Sequence, residues 1–325
     1  MKSPFANCDA TFKCEKSKLT FRKESFEYVH LFYECNETKE RFTTDEIDEV
    51  NVSQIYNQYR VKYGIPFPDE IKQIREKYDL PATKMSQILG FGDNQYRLYE
   101  NGEMPSEANG KILMSIMLPQ VFDSYIHNAK NQFTPDEYAK ILSKANIGTI
   151  NKEKEYLKNI IFDSERGVFN GFAKRSLTKL KNTMLFFIDR CGSLFKTKMN
   201  KLLFYTDFYA YKTYGMAITG LSYKAIQFGP IPNNYKKIYA FVDEIDEMPV
   251  SFGNVEGDKL VSTIQPDMSV FSEKELNVLN QVATKFGNMT SKEMSEISHN
   301  EDAWKNNVGN FGAIDFSYAF SLKAI

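Results

Sequence analysis

KMNKLLFYTDFYAYKTYGMAITGLSYKAIQFGPIP, residues 198 to 232, decides how this chain is read. Residues 198 to 214 form one predicted helix. Phe204, Tyr205, Phe208, Tyr209 and Tyr211 nearly encircle it, and a helix that is apolar all round is a buried one. Gly215 stops it. Residues 218 to 228 read as extended, and Gly229-Pro230-Ile231-Pro232 turns the chain toward another helix. Asp207 sits among the aromatics. A buried carboxylate must be paired, so a Tyr hydroxyl or a backbone N–H is its expected partner. The stretch has no nucleophile, base or metal motif around it. It reads as a packed scaffold that presents a surface.

Working outward, residues 174 to 201 hold eight basic side chains and one acid, Asp189. Residues 243 to 258 hold six acids and no Lys or Arg. Such runs are either solvated faces or a surface that steers a charged partner. Leu177, Leu180, Met184, Phe187, Ile188 and Cys191 fall on one helical stripe. A small sheet is expected from residues 221 to 228 pairing with 259 to 264 around an acidic helix spanning 235 to 247. Ser272 with Glu275, and Thr290 with Glu293, are capping boxes that open two further helices. Trp304 is expected to anchor the C-terminal helix.

Residues 64 to 130 show a different texture. Pro68-Asp69 opens a helix with Ile71, Ile74 and Tyr78 on one face. A short helix carrying Met85, Ile88 and Leu89 follows, then the turn Gly90-Phe91-Gly92. Asp93 is the expected cap of a third helix ending at Gly102. Short helix, glycine turn, short helix is the helix-turn-helix pattern, whose second helix enters the major groove by its N-terminal residues. Asn94, Gln95, Tyr96 and Arg97 are therefore the expected DNA-facing residues, by adenine readout and by guanine or phosphate contact. Residues 60 to 130 balance nine basic against nine acidic side chains, so such DNA binding would be modest and would depend on a dimer. Glu100 is expected to clamp Arg75.

The first 63 residues are polar and strand-prone, ending in a helix over 52 to 63. Cys8, Cys14, His30 and Cys35 are the residue types of a four-ligand zinc set, but their spacing lacks the C-x2-C pair that aims two thiolates at one ion. The expectation is a metal-free remnant and no cofactor. Residues 131 to 165 read as a helical connector, capped by Thr134, interrupted at Gly148 and resumed over 151 to 163. The fold class is mainly α. It comprises a small β-rich domain (residues 1 to 63), a helix-turn-helix bundle (64 to 130), the connector, and a C-terminal helical domain with a small hairpin or sheet (166 to 325).

The 325 residues carry 41 Lys plus Arg against 42 Asp plus Glu, so no global excess of charge announces nucleic acid. Apolar runs fall short of a membrane span and the N-terminus has no signal-like core, which reads as a cytoplasmic protein with no membrane partner. There is no Walker loop, no G-x-G-x-x-G and no H-E-x-x-H. The three histidines, His30, His127 and His299, are scattered, so no enzyme is expected.

Two resemblances join these readings. Ile74-Arg75-x-Lys77-Tyr78, Met85-Ser86-x-Ile88-Leu89-Gly90-x-Gly92 and Tyr99-Glu100-x-Gly102-x-x-Pro105 resemble the MqsA-type antitoxins, a zinc-binding N-terminal domain followed by an Xre-like helix-turn-helix. Where that family contacts DNA with Asn and, four residues later, Arg, this chain has Asn94 and Leu98; Arg97 stands one position early, about 100° round the helix. Lys201-Leu202-Leu203-Phe204-Tyr205-x-Asp207-Phe208, Gly229-Pro230-Ile231-Pro232, and Ser298-His299 ahead of Trp304 resemble the Panacea, or SocA-like, antitoxin domain.

Together these resemblances imply an antitoxin of a bacterial type II toxin-antitoxin system. Its C-terminal domain would bind a cognate protein toxin, of the kind that inhibits translation, such as a toxic small alarmone synthetase. Its helix-turn-helix would bind promoter DNA and repress the operon, with a homodimer as a possible form. The expected toxin-facing residues are Lys198, Lys201, Gly229, Pro230, Ile231 and Tyr235. The alternative is a transcription regulator whose C-terminal domain senses a ligand.

Overall fold

The computed structural model describes residues 1–150, 164–192, 194–239, 241–252, 255–310 and 312–325. The chain divides into two compact units, one of residues 1–55 with 162–325, the other of residues 56–161. The resumed connector helix expected over 151 to 163, with Tyr156, Leu157, Ile160 and Ile161, lies outside the described residues. Among the described residues no helix is long and apolar enough to cross a membrane.

In the first unit, β1 (Ala10–Phe21) and β2 (Glu24–Cys35) form a long antiparallel hairpin, with β3 (Arg41–Phe42) added beside the end of β2. The two turn residues, Arg22 and Lys23, both have positive φ, the backbone hand that matches the twist of a two-residue hairpin. Helix α1 (Asp45–Tyr63) docks on β2 through carboxamides spaced one turn apart. Asn51 accepts from Leu31 N and donates to Leu31 O, at 2.8 and 2.9 Å, and Gln54 does the same with Val29 at 3.0 and 2.8 Å. Each side chain thus satisfies a strand residue's donor and acceptor together, which buried backbone demands.

The rest of that unit is built round helix α9 (Lys196–Tyr214), preceded by α8 (Leu177–Cys191) and the short strand β4 (Leu194–Phe195). α9 ends at Gly215, whose φ of +72° is the left-handed stop expected from sequence. Its aromatics pack on all sides: Tyr205 stacks on Phe286 at 4.4 Å, Phe208 on Phe316 at 4.2 Å, and Phe204 meets Tyr223 edge-on. After α9 come β5 (Tyr223–Ile226) and β6 (Gly229–Pro232), which pair with each other; α10 (Tyr235–Tyr239); and β7 (Asp246–Phe252) with β8 (Val255–Val261). Helices α11 (Glu273–Phe286), α12 (Ser291–Ser298) and α13 (Asp302–Lys305) close the unit, and both expected capping boxes are present.

The sheet differs from the expected one. β8 pairs with β7 and β4, not with the 221 to 228 segment, and the acidic run from Asp246 is a strand. Gly229 supplies the physical reason. Its φ of +107° lets the chain reverse after Gln227-Phe228, so β5 meets its partner only two residues on.

The second unit packs α2 (Pro68–Lys77), α3 (Ala82–Leu89), α4 (Gln95–Glu100), α5 (Glu107–Ser115), α6 (Pro119–Asn128) and α7 (Pro135–Ile150) round one core that includes Ile71, Tyr78, Met85, Tyr96, Leu113 and Phe122. Arg75 Nε lies 2.6 Å from Glu100 Oε1, the expected clamp. Helix α4 starts one residue later than expected, so Asn94 and not Asp93 occupies its cap position. Helix α7 runs through Gly148, which does not interrupt it. One glycine in a helix otherwise carried by neighbouring turns costs only about 1 kcal/mol relative to alanine.

Candidate partner-binding site

The residues of the Lys201, Gly229 and Ser298-His299 segments come together at one corner of the first unit. Lys201 extends from α9 into the interior and is 0% exposed. Its Nζ has no hydrogen-bond partner among the described residues, and burial pushes its pKa down from 10.5 to about 8. Gly229 packs directly on it. A Cβ built on Gly229 would lie 3.0 Å from Lys201 Cε and 2.4 Å from Ser298 Oγ, so α9, β6 and α12 meet where there is room for a hydrogen atom only. Trp304 Nε1 donates to Ile226 O at 2.7 Å, and its ring stacks on His299 at 4.1 Å. The hairpin β5–β6 is therefore clamped from below by Lys201 and from the side by α12 and α13.

Asp207, two turns along α9, holds the next loop. Its Oδ1 accepts from Ile218 N at 2.9 Å and Thr219 N at 2.8 Å; its Oδ2 accepts from Tyr223 Oη at 2.6 Å and from Thr219 Oγ1. Burial pushes the carboxyl pKa up, while these four donors pull it down. Every partner is structural, as expected for an aspartate among aromatics.

This geometry corrects most of the expected toxin-facing set. Lys201, Gly229, Pro230 and Ile231 are all buried. Lys198 is buried too, and its ammonium donates to Gly287 O at 2.6 Å, just past the end of α11. A cation belongs there, because the last carbonyls of a helix carry partial negative charge. The physical reason for the error is helix phase: in a helix buried all round, a lysine has no outer face to occupy. Tyr235 alone of the set is half exposed.

The two charge runs also prove to be partners of one another. Lys181 pairs with Glu244 at 2.7 Å, and Lys196 pairs with Glu247 and, at 3.4 Å, with Asp258; Lys179 pairs outside the acidic run, with Glu275 at 2.6 Å. The basic run is thus largely spent inside its own unit and does not form a free steering surface.

What the corner leaves outward is different. Phe228, at the tip of the β5–β6 hairpin, is 62% exposed. Beside α10 lies a cleft of about 540 Å³, lined by Lys196, Tyr235, Tyr239, Asp243, Glu247 and Asp258 among others. Three carboxylates against one lysine make it acidic, and two tyrosines give it aromatic walls. Sequence reasoning missed Phe228. Its signal was a two-residue loop, Gln227-Phe228, between a β-prone run and a glycine, where an outward side chain has no core to enter.

In the second unit, the expected DNA-facing residues separate. Tyr96 is 0% exposed, donates from Oη to Ile71 O at 2.8 Å and donates from its backbone N–H to Ser86 Oγ at 3.0 Å. It is a core residue, because it faces back toward α2 and α3. Gln95 is half-buried and bonded to Glu103 at 2.9 Å. Asn94 and Arg97 are exposed, and so are Leu98 and Asn101. Offsets of three, four and seven residues put these four on one face.

The four candidate zinc ligands are not brought together. Cys14 pairs across the hairpin with Leu31, while Ala10 pairs with Cys35, which places Cys14 four residues, about 13 Å, from the Cys35 end of the hairpin. His30 is one residue out of phase with Leu31 and so lies on the opposite face of the sheet. Only Cys8 and Cys35 meet, with their sulfurs 3.3 Å apart. Among the described residues no three His, Cys, Asp or Glu side chains are grouped to hold a metal ion.

No curated protein and no solved structure matches the chain. Residues 199–305, which contain most of α9, the hairpin, the cleft residues other than Lys196 and α11 to α13, match the family described as antitoxin SocA-like, Panacea domain, and that match supports an antitoxin role in general terms.

Proposed function

We propose that the chain is the antitoxin of a toxin-antitoxin pair and neutralises a cognate protein toxin by stoichiometric binding, without turnover. The observation that carries this is the family match over residues 199–305, on a domain whose buried polar groups serve its own packing. The contact surface is the exposed tip Phe228 together with the acidic, tyrosine-walled cleft at Tyr235. Aromatic anchors dominate protein-binding hot spots, and Phe228 and Tyr235 are the aromatics this part of the domain turns outward. An acidic cleft selects a basic segment of the toxin.

The test is co-expression with the toxin encoded beside it, scored by growth and by co-purification. Phe228→Asp combined with Tyr235→Ala should abolish rescue while circular dichroism and thermal melting stay unchanged. Full rescue by that folded variant would show that the surface lies elsewhere; failure of the wild-type chain to rescue would overturn the antitoxin reading itself.

We further infer that the second unit binds the operon's promoter through Asn94 and Arg97, read as the exposed face of the second helix of a helix-turn-helix. A near-neutral unit offers few phosphate contacts, so retention on promoter DNA should be weak, salt-sensitive and strengthened by dimerisation.

A further inference from the structure

Among the described residues, Cys8 and Cys35 bring two thiols into contact, and neither belongs to the proposed neutralising surface. Register explains it. β1 and β2 pair residues whose numbers sum to 45, so Ala10 faces Cys35, and the two residues before β1 carry Cys8 back over the same end. Asn36 N donates to Asp9 O at 3.2 Å and Ser3 N to Cys8 O at 3.0 Å, which fixes both cysteines from the backbone. Both thiols are free. Cys35 is enclosed, whereas Cys8 is partly exposed.

We propose that Cys8 and Cys35 are a reversible thiol–disulfide site, closed by a hydroperoxide and reopened by a small dithiol. Their sulfurs need to approach by little more than an ångström to reach the bonding distance of about 2 Å. The electrostatics support the same division of labour. The neighbouring hydroxyls of Ser3 and Thr38, with Thr38 N–H at 3.4 Å, hold Cys35 down to about 6, while burial and the contact with Cys35 push Cys8 up.

The steps balance. The accessible Cys8 sulfur attacks an oxygen of hydrogen peroxide, and the Cys8 proton passes through Cys35 to the departing oxygen, leaving Cys35 as a thiolate. The O–O bond breaks, and Cys8 becomes a sulfenic acid while water leaves. Cys35, as thiolate, then attacks the Cys8 sulfur; the S–S bond forms, the S–O bond breaks, and hydroxide leaves to be protonated as a second water. Two thiols are oxidised by two electrons and one peroxide is reduced. The product staples the N-terminal segment to the end of the hairpin.

The experiment treats the reduced full-length protein with hydrogen peroxide, blocks remaining thiols with an alkylating agent, and maps non-reduced peptides by mass spectrometry. The expected result is a Cys8–Cys35 cross-linked peptide as the main product, loss of two of the four titratable thiols, and full recovery with dithiothreitol. Because a resolving thiol stands 3.3 Å from Cys8 and no such partner faces Cys14, the cross-link should form in preference to oxidation of Cys14. Cys35→Ser should stop at a Cys8 sulfenic acid that dimedone traps, with the fold intact by circular dichroism. A main product joining Cys14 or Cys191, no cross-link in the folded protein, or one tightly held zinc per chain that shields Cys8 and Cys35 would each overturn the assignment.

Discussion

Replacing Lys201 by methionine should make the protein more stable at neutral pH. The ammonium is fully enclosed and unpaired among the described residues, and its pKa falls from 10.5 to about 8 on folding. Each pH unit between those values is worth about 1.4 kcal/mol, so holding the charged form inside the fold at pH 7 costs roughly 3 kcal/mol. The sign follows from linkage. Between pH 8 and 10.5 the unfolded chain binds the proton that the native chain has lost, so native stability rises across that window; below pH 8 the full penalty is present.

Methionine has a similar length and no charge to desolvate, so Lys201→Met should gain on the order of 1–3 kcal/mol at pH 7. Near pH 9.5 the wild type has shed about 2 kcal/mol of its penalty, so the advantage should shrink by about that amount. Urea unfolding of both proteins at the two pH values reads this directly, and other titrating groups cancel in the difference. A variant that is less stable at pH 7, or one whose advantage is the same at both pH values, would mean that the amine is not an uncompensated buried charge. The variant should neutralise the toxin as well as the wild type does, since Lys201 reaches no surface.

Three further outcomes follow from the same packing. Asp207→Asn puts an amide N–H₂ against two of the four donors and should destabilise by roughly 2–4 kcal/mol in urea unfolding. Gly229→Ala combines a strained φ with a methyl 2.4 Å from Ser298 Oγ and should cost more than about 2 kcal/mol, lowering the melting temperature while leaving the second unit's DNA retention intact. In the second unit, Arg97→Ala with Asn94→Ala should abolish promoter retardation on a gel with stability changed by less than about 0.5 kcal/mol, whereas Tyr96→Phe, which removes the hydroxyl's bond to Ile71 O, should lower stability by about 1 kcal/mol and leave DNA contact unaffected.

Helices were legible wherever a local stop or cap coincided with a periodic apolar face. Gly215, Ser272-Glu275 and Thr290-Glu293 mark their ends within the sequence itself, and the ring of aromatics on α9 required burial. The sheet partners of the C-terminal part were not legible. Strand pairing there depends on Gly229 reversing the chain, and a run of acids such as residues 243 to 247 reads as an exposed helix until its lysine partners are known. The site was misread for a related reason. Periodicity says which face of a helix is apolar, but α9 has no polar face, so a lysine's position on it carries no information about exposure. Tyr96 failed in the opposite way: a one-residue shift in helix start turns a side chain by about 100°, enough to send it from the groove-facing side into the core.

The residues by which the C-terminal domain is recognised are therefore those that fix its corner. Lys201, Gly229 and Ser298 pack against one another, Asp207 ties the loop that follows α9, and Trp304 holds Ile226. None of them faces a partner. On the proposed reading, recognition falls to the side chains this packing leaves outward, Phe228 at the hairpin tip and the half-exposed Tyr235 at the cleft. A scaffold so divided can hold its hairpin in one geometry while the presented residues vary. Changing the tip should then alter which toxin is bound without altering stability, and changing the corner should lower stability and binding together.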